Sequence, residues 1–281
     1  MLSYRHAYHA GNHADVLKHF VLMECVEYYT RKDKPFVYLD THAGAGFYSL
    51  QGSSAQKTQE YIDGIERLWK ADDLPEALQS YVHLVREANR NGQALKFYPG
   101  SPWFAMQGLR RNDKARLYEL HSSDYPRLVE NFKKDRRVTV ENSDGFKGLN
   151  AQLPVAQKRA IVLIDPSYEI KSDYDDVVKA LKEGYKRMSG ATFLLWYPVV
   201  ERGRMNAVEK SLKDSGIRDV LLAELAVEPD TGARGMTASG MIVINPPWTL
   251  KATLQDTLPW LAKRLSQSEG ASYRLEQLVA E

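Results

Sequence analysis

Among 281 residues there is one cysteine, Cys25. A lone thiol cannot close an internal disulfide and leaves no cysteine cluster for zinc. It sits in an apolar pattern of helical spacing, where packing as a small hydrophobe is its ordinary use. No apolar run is long enough to span a bilayer; FLLWYPVV, from Phe193 to Val200, is short and interrupted by Pro198. The opening MLSYRHAYHAGNHAD lacks the apolar core of a signal peptide, which predicts a cytoplasmic protein with no membrane partner. Neither sign of charge dominates. A net charge of +2 permits nucleic-acid binding without demanding it, although two basic runs, Arg110-Arg111 with Lys114 and Arg116 and Lys133-Lys134 with Arg136-Arg137, are of the kind that meets phosphates or simply faces solvent. There is no internal repeat, and a hydrophobic content of 43% with 26% charged residues is that of a globular chain.

What is there centres on IVLIDPSY, Ile161 to Tyr168. Four apolar, mostly β-branched residues predict a strand buried on both faces, as in a parallel sheet. Asp165 then falls at the carboxyl end, where open α/β sheets place their ligands. Pro166 fixes φ and offers a carbonyl without an N–H. Tyr168 adds a ring face. Two acceptors and one ring suit a flat heterocycle held by its exocyclic amine, though Asp-Pro-Ser is also ordinary turn chemistry.

A second informative unit is FVYLD, Phe36 to Asp40, running into THAGAGFYS. Strand, small-residue turn and helix form the nucleotide-binding opening of a doubly wound fold. A pyrophosphate fingerprint would need a third glycine, and that position is Ser49. The turn therefore suits a ligand without pyrophosphate, such as S-adenosylmethionine. Ahead of it, a helix is expected from Ala14 to about Thr30, bearing Lys18 and His19. Five of the seven histidines lie in the first 42 residues. No metal site is expected, because His9 and His13 lack both the glutamate of a HExxH pattern and a nearby cysteine; imidazoles bonding a nucleotide or an RNA phosphate are the better reading.

Residues 50–95 break the strand–helix alternation with two amphipathic helices, the second opened by Pro75. They predict a helical subdomain inserted into a main domain of residues 1–49 and 96–281. After Tyr98-Pro99-Gly100, Ser101 is placed to cap a helix beginning at Pro102. About seven strands follow from the whole pattern, the last two, VLLAEL and MIVIN, as an antiparallel hairpin, with a helix closing the chain.

With those residues placed, the chain resembles class I S-adenosylmethionine-dependent methyltransferases, and more narrowly the RlmJ family of 23S ribosomal RNA adenine-N6 methyltransferases. The likeness runs through LSYRHAYHAGNHADVLKH, YLDTHAGAG, YPGSP, SDG, DPSYE, LWYPVV and RGMTASGMIVINPPW. It implies a doubly wound Rossmann-like fold, S-adenosylmethionine as cofactor, 23S rRNA as partner and a monomer without metal. It also implies cofactor contacts at His19, His42, Ser101, Glu119, Asp144, Gly145 and Asp165. Glu119, ending the second strand, would take the ribose hydroxyls, and Asp144 with Gly145 would meet an adenine edge. Tyr4, His6 and Lys18 correspond to the family's pocket-lining segment, with Pro166 and Tyr168 on the target base.

Asp165 is the expected catalytic residue. Asn245-Pro246-Pro247-Trp248 fits the amino-methyltransferase tetrad better by letter, since Ser167 stands where proline is usual, but the tetrad belongs on the fourth strand after the glycine turn. Acceptors at Asp165 and the Pro166 carbonyl would hold both N–H groups of adenine N6 in line with the methyl. The base would leave its stack, with Tyr168 restoring some stacking. Cys25 lies near no such turn, which speaks against covalent pyrimidine C5 methylation. A DNA adenine-N6 methyltransferase and a non-catalytic RNA-binding protein stay open at this stage; a nicotinamide-dependent oxidoreductase would want the missing glycine.

Overall fold

Ala160–Ile164 does form a fully buried strand, and a sheet extends from it in both directions. The computed structural model describes residues 4–90, 92–230 and 235–281. Leu2 and Ser3 of the first motif, and residues 231–234 of the loop that opens the last one, lie outside the described residues.

In chain order the elements are α1 (His13–Thr30), β1 (Val37–Asp40), β2 (Phe47–Ser49), α2 (Ser53–Thr58), α3 (Ile65–Trp69), α4 (Glu76–Ala88), β3 (Phe97–Pro99), α5 (Ser101–Gly108), β4 (Lys114–Tyr118) and α6 (Tyr125–Phe132). There follow β5 (Val138–Glu141), α7 (Gly145–Gln152), β6 (Ala160–Ile164), α8 (Asp173–Arg187), β7 (Thr192–Val199), α9 (Arg202–Lys213), β8 (Val220–Ala226), β9 (Ala238–Ile244), α10 (Leu250–Arg264) and β10 (Ser272–Val279). The eight-stranded sheet has the order β10-β8-β9-β7-β6-β1-β4-β5. Strands β5, β4, β1, β6 and β7 are parallel neighbours, while β9 runs antiparallel to both β7 and β8. One core layer packs α1, α4, α5, α6 and α10 on one face, and the other packs α7, α8 and α9.

Three local differences from the sequence reading have physical causes. The chain does not end on a helix: β10 pairs antiparallel with β8 at the edge, an eighth strand whose mostly exposed side chains give little alternation to read. Pro198 does not interrupt its strand. β6 stops pairing with β7 at Leu195, so from Trp196 onward β7 has a neighbour on one side only, and the missing N–H faces an open edge. Ser101 caps nothing; Gly100 is the N-cap, and the Ser101 hydroxyl donates instead to Asp40 Oδ2 at 2.7 Å.

The segment between β2 and β3 leaves and re-enters at one place, because those two strands pair antiparallel. It carries three helices, α2 having gone unpredicted, while the glycine turn opens onto strand β2 and not onto the helix expected there. Its apolar residues, including Leu68, Leu78, Tyr81 and Val85, pack into the same core layer as α1 and α10. α1 is buried nearly all round, with thirteen of its residues out of solvent, and this takes Asp15, Lys18 and His19 inside with it.

The loops before β1 and β4 are clamped by Asp113, whose carboxylate is wholly buried. It accepts from the backbone N–H of Phe36 (3.0 Å) and of Arg110 (2.7 Å), and from Arg110 Nε (2.9 Å). Asp113→Ala is expected to destabilise by about 3 kcal/mol or more, because a buried and a half-buried backbone N–H and a guanidinium lose their acceptor. Urea unfolding measures this, and a loss below about 1 kcal/mol would show that the loops relax onto water.

Candidate active site

The parallel strands release their backbones into loops at one edge of the sheet, and a cavity of about 320 Å³ lies there. At the end of β1, Asp40 is fully buried and accepts from the hydroxyls of Tyr38 and Ser101, both at 2.7 Å. Burial pushes its carboxyl up to about 6 against those bonds. The glycine turn follows, with Gly44 at φ +60° and Gly46 at φ +74°, a conformation that a side chain would strain. Gly44 N–H donates to Glu119 Oε2 at 2.8 Å, and His121 N–H donates to Oε1 at 2.6 Å. Glu119 lies just past the end of β4. Both of its oxygens still have acceptor capacity, and burial raises its pKa above the ordinary carboxylate value.

Past β5, Asp144 caps α7, its Oδ1 accepting from Phe146 N–H at 2.9 Å. Phe146 meets the His42 ring edge-on at 5.1 Å. Burial lowers His42 to about 4. Leu120 and Ile170, both more than half exposed, supply apolar wall.

A second cavity, of about 650 Å³, adjoins the first. The two share Tyr4, His6, Lys18, Asp165 and Ser167. Between them runs a chain of polar contacts: Tyr4 Oη to His6 Nδ1 (3.0 Å), His6 Nε2 to Asp15 Oδ2 (2.8 Å), Asp15 Oδ1 to Lys18 Nζ (2.8 Å), and Lys18 Nζ to Asp165 Oδ2 (2.7 Å). Asp15 also accepts from Gly11 N–H at 2.8 Å. Burial opposes its ionisation, yet the attraction of His6 and Lys18 outweighs that and holds the carboxyl well below the usual range. Burial likewise disfavours the Lys18 ammonium, and Asp15 and Asp165 more than offset it.

Of the residues singled out from sequence, eleven line the first cavity: Tyr4, His6, Lys18, His19, His42, Ser101, Glu119, Asp144, Gly145, Asp165 and Pro166. Tyr168 lines only the second. At φ +54°, its hydroxyl donates to the Trp196 carbonyl at 2.8 Å and its ring packs on Tyr174 at 4.7 Å, so the ring is already engaged. His19 is buried and bonded through Nδ1 to Tyr98 Oη at 2.7 Å. Asn245 is far from both cavities: β9 is reversed, so its carboxyl end emerges beside the start of β7 at the opposite edge. Its amide is spent on the carbonyls of Ser189 and Ala191. Asp15 went unrecognised, since an i,i+3 Asp–Lys pair reads as a solvated helix face.

Acceptors on Glu119, a capped helix start at Asp144 and apolar walls suit a ribose and a flat ring, and no feature of this cavity asks for pyrophosphate. The fold and this site define a Rossmann-like S-adenosylmethionine-dependent methyltransferase. More narrowly, the chain belongs to the RlmJ family: the family model described as ribosomal RNA large subunit methyltransferase D, RlmJ, matches residues 33–279. It is 54% identical to ribosomal RNA large subunit methyltransferase J of Escherichia coli strain K12, over 94% of each chain. The protein of that name from Haemophilus influenzae is 51% identical over the full length of both. A crystal structure of a Legionella pneumophila protein, 36% identical, superposes with a TM-score of 0.89 over 96% of this chain and 98% of that one.

Asp15→Asn is expected to lower methyl transfer by about 10²-fold, because Lys18 and His6 lose the anion that aims them. The pH profile of transfer should move as well, with the dissociation constant for S-adenosylhomocysteine unchanged within a few-fold. An unaltered profile and rate would make Asp15 merely structural. The buried histidines predict a pH effect on folding. Burial lowers His13 to about 4, against an ordinary value of 6.5, so the unfolded chain binds a proton that the folded one refuses. That stability is complete above pH 6.5 and is lost as pH falls toward 4. Asp40, raised to about 6, acts in the opposite sense, so the readout is the difference between wild type and His13→Gln in denaturant midpoints at pH 7 and pH 5. Parallel pH dependences for the two proteins would refute it.

Proposed function

We propose that the protein transfers the methyl group of S-adenosylmethionine to the exocyclic N6 of an adenine in 23S rRNA, producing N6-methyladenosine, with Asp165 touching the reacting amine. The observation that carries this reading is the meeting of two cavities at Asp165, one suited to the cofactor and the other open to a base. On the cofactor side Glu119 takes the ribose hydroxyls, Asp144 and Gly145 meet the adenine edge, and His19, His42 and Ser101 complete the wall. Tyr4, His6, Lys18 and Tyr168 belong to the substrate side, and Pro166, from the wall of the first cavity, meets the target amine beside Asp165. The same proposal has a monomer acting in the cytoplasm, with residues 50–95 as an inserted helical subdomain whose Thr58, Glu60 and Asp63 wall the second cavity.

S-adenosylmethionine, when bound, supplies an electrophilic methyl on sulfur. The chain's own residues do the rest. Lys18 occupies Asp165 Oδ2 and leaves Oδ1 to accept one amine N–H, while the buried Pro166 offers its carbonyl to the other. Held by both, N6 would present its lone pair toward the first cavity. With the methyl that S-adenosylmethionine would supply on N6, its sulfur keeping the electron pair of the bond lost, the surplus amine proton would leave by way of Asp165 Oδ1 to water.

Label from methyl-tritiated cofactor should enter 23S rRNA as N6-methyladenosine. Asp165→Asn should cut that transfer by about 10²-fold or more while the S-adenosylhomocysteine dissociation constant stays within a few-fold. Label entering DNA but not RNA, or wild-type turnover in the variant, would sink the reading.

A further inference from the structure

The basic runs that the site leaves unused come together at the other end of the sheet. The loops before β1, β4, β5 and β6 (residues 31–35, 110–113, 133–137 and 158–159) hold eleven Lys and Arg against three Asp. Their strands are parallel and start level, Val37 opposite both Lys114 and Ala160, and Ala115 opposite Val138, so all four loops share the edge opposite the cavity. The whole chain is only +2, so everything outside this edge is net acidic.

Three arginines brace the edge. Arg110 donates to the carbonyls of Lys32 and Lys34, both at 2.8 Å. Arg159 donates to the Tyr29 carbonyl at 2.9 Å, and Arg137 bonds the Leu109 carbonyl and Asp135. Braced in this way, the loops present Lys32, Lys34, Arg111, Lys134, Arg136 and Lys158, all exposed. Among the described residues none of these six side chains has an ion-pair partner. On the same edge, beyond the reversed strand β9, the Trp248 ring is 78% exposed. A preformed cationic strip with a bare indole on the same edge matches phosphates together with an unpaired base, rather than a carboxylate-rich protein.

We infer that this edge is a second RNA-docking surface, which grips rRNA remote from the adenine held at Asp165. The inference rests on the rRNA-methyltransferase reading above. β4 has five residues, so it spans only about 17 Å between the two edges, less than a short RNA helix reaches.

The test compares a 23S transcript with the shortest fragment of it that the wild-type protein methylates. The variant K32Q/R111Q/K134Q/R136Q is set against K70Q/K179Q/K182Q/K263Q, which removes the same charge from exposed positions on α8, on α10 and just after α3. Expected for the edge variant is a KM on the long transcript raised about tenfold, and a log-log salt dependence shallower by about 0.7–0.9 for each phosphate that the variant no longer neutralises. Its kcat/KM on the short fragment, and both parameters of the control variant, should stay within about twofold of wild type. Trp248→Ala should raise the long-transcript KM in the same direction. Equal loss on both substrates, no loss on either, or the same loss in the control variant would each overturn the inference. Failure of the wild type to methylate any RNA would instead overturn the reading beneath it. Thermal unfolding of each variant checks that it is folded, and the single substitutions stand in for any that is not.

Discussion

A carboxylate with almost no access to water, Asp15, is the constraint on which the site depends. An unpaired buried charge is prohibitively costly, so its partners must arrive whenever the protein folds. Lys18 comes from the next turn of the same helix, His6 from the segment before it, and the Gly11 N–H from the chain between. Lys18 then reaches across to Asp165, 147 residues further on. Two negative charges share one ammonium, and that ammonium sits on the wall common to both cavities. The arrangement joins the N-terminal segment to the central strand by electrostatics as much as by packing.

The sheet serves this link by direction. Parallel strands carry Asp40, Glu119, Asp144 and Asp165 to one edge, and the reversal at β9 carries Asn245 to the other. Letter for letter, Asn-Pro-Pro-Trp is the better tetrad, yet its loop opens at the edge opposite both cavities. Strand order in the chain anticipated that outcome because each parallel strand needs a crossover and so keeps its sense.

Much of the rest could be read from local pattern. β6 was legible because burial on both faces leaves an uninterrupted apolar run, and the glycine turn because only small residues tolerate its positive φ. β10 was not legible, since a strand covered on one side and mostly exposed has weak alternation. The three-residue pair β2 and β3 is too short to show a period. Asp15 left a signal that went unused: Val16, Leu17, Phe20, Val21, Leu22, Cys25 and Val26 are apolar around the whole of α1, and a helix apolar all round is buried. Any charge on such a helix must be paired. Ser101 was misjudged as a cap because a serine before a helical proline has that look, whereas its true acceptor, Asp40, is 61 residues away.

The separation of 147 residues between Lys18 and Asp165 has a consequence in time. α1 is made early, but its ammonium finds the Asp165 carboxylate only after more than half of the chain has been synthesised. Closing a loop of that length costs more chain entropy than closing a short one. The wall that the two cavities share therefore cannot be completed until Asp165 has been made.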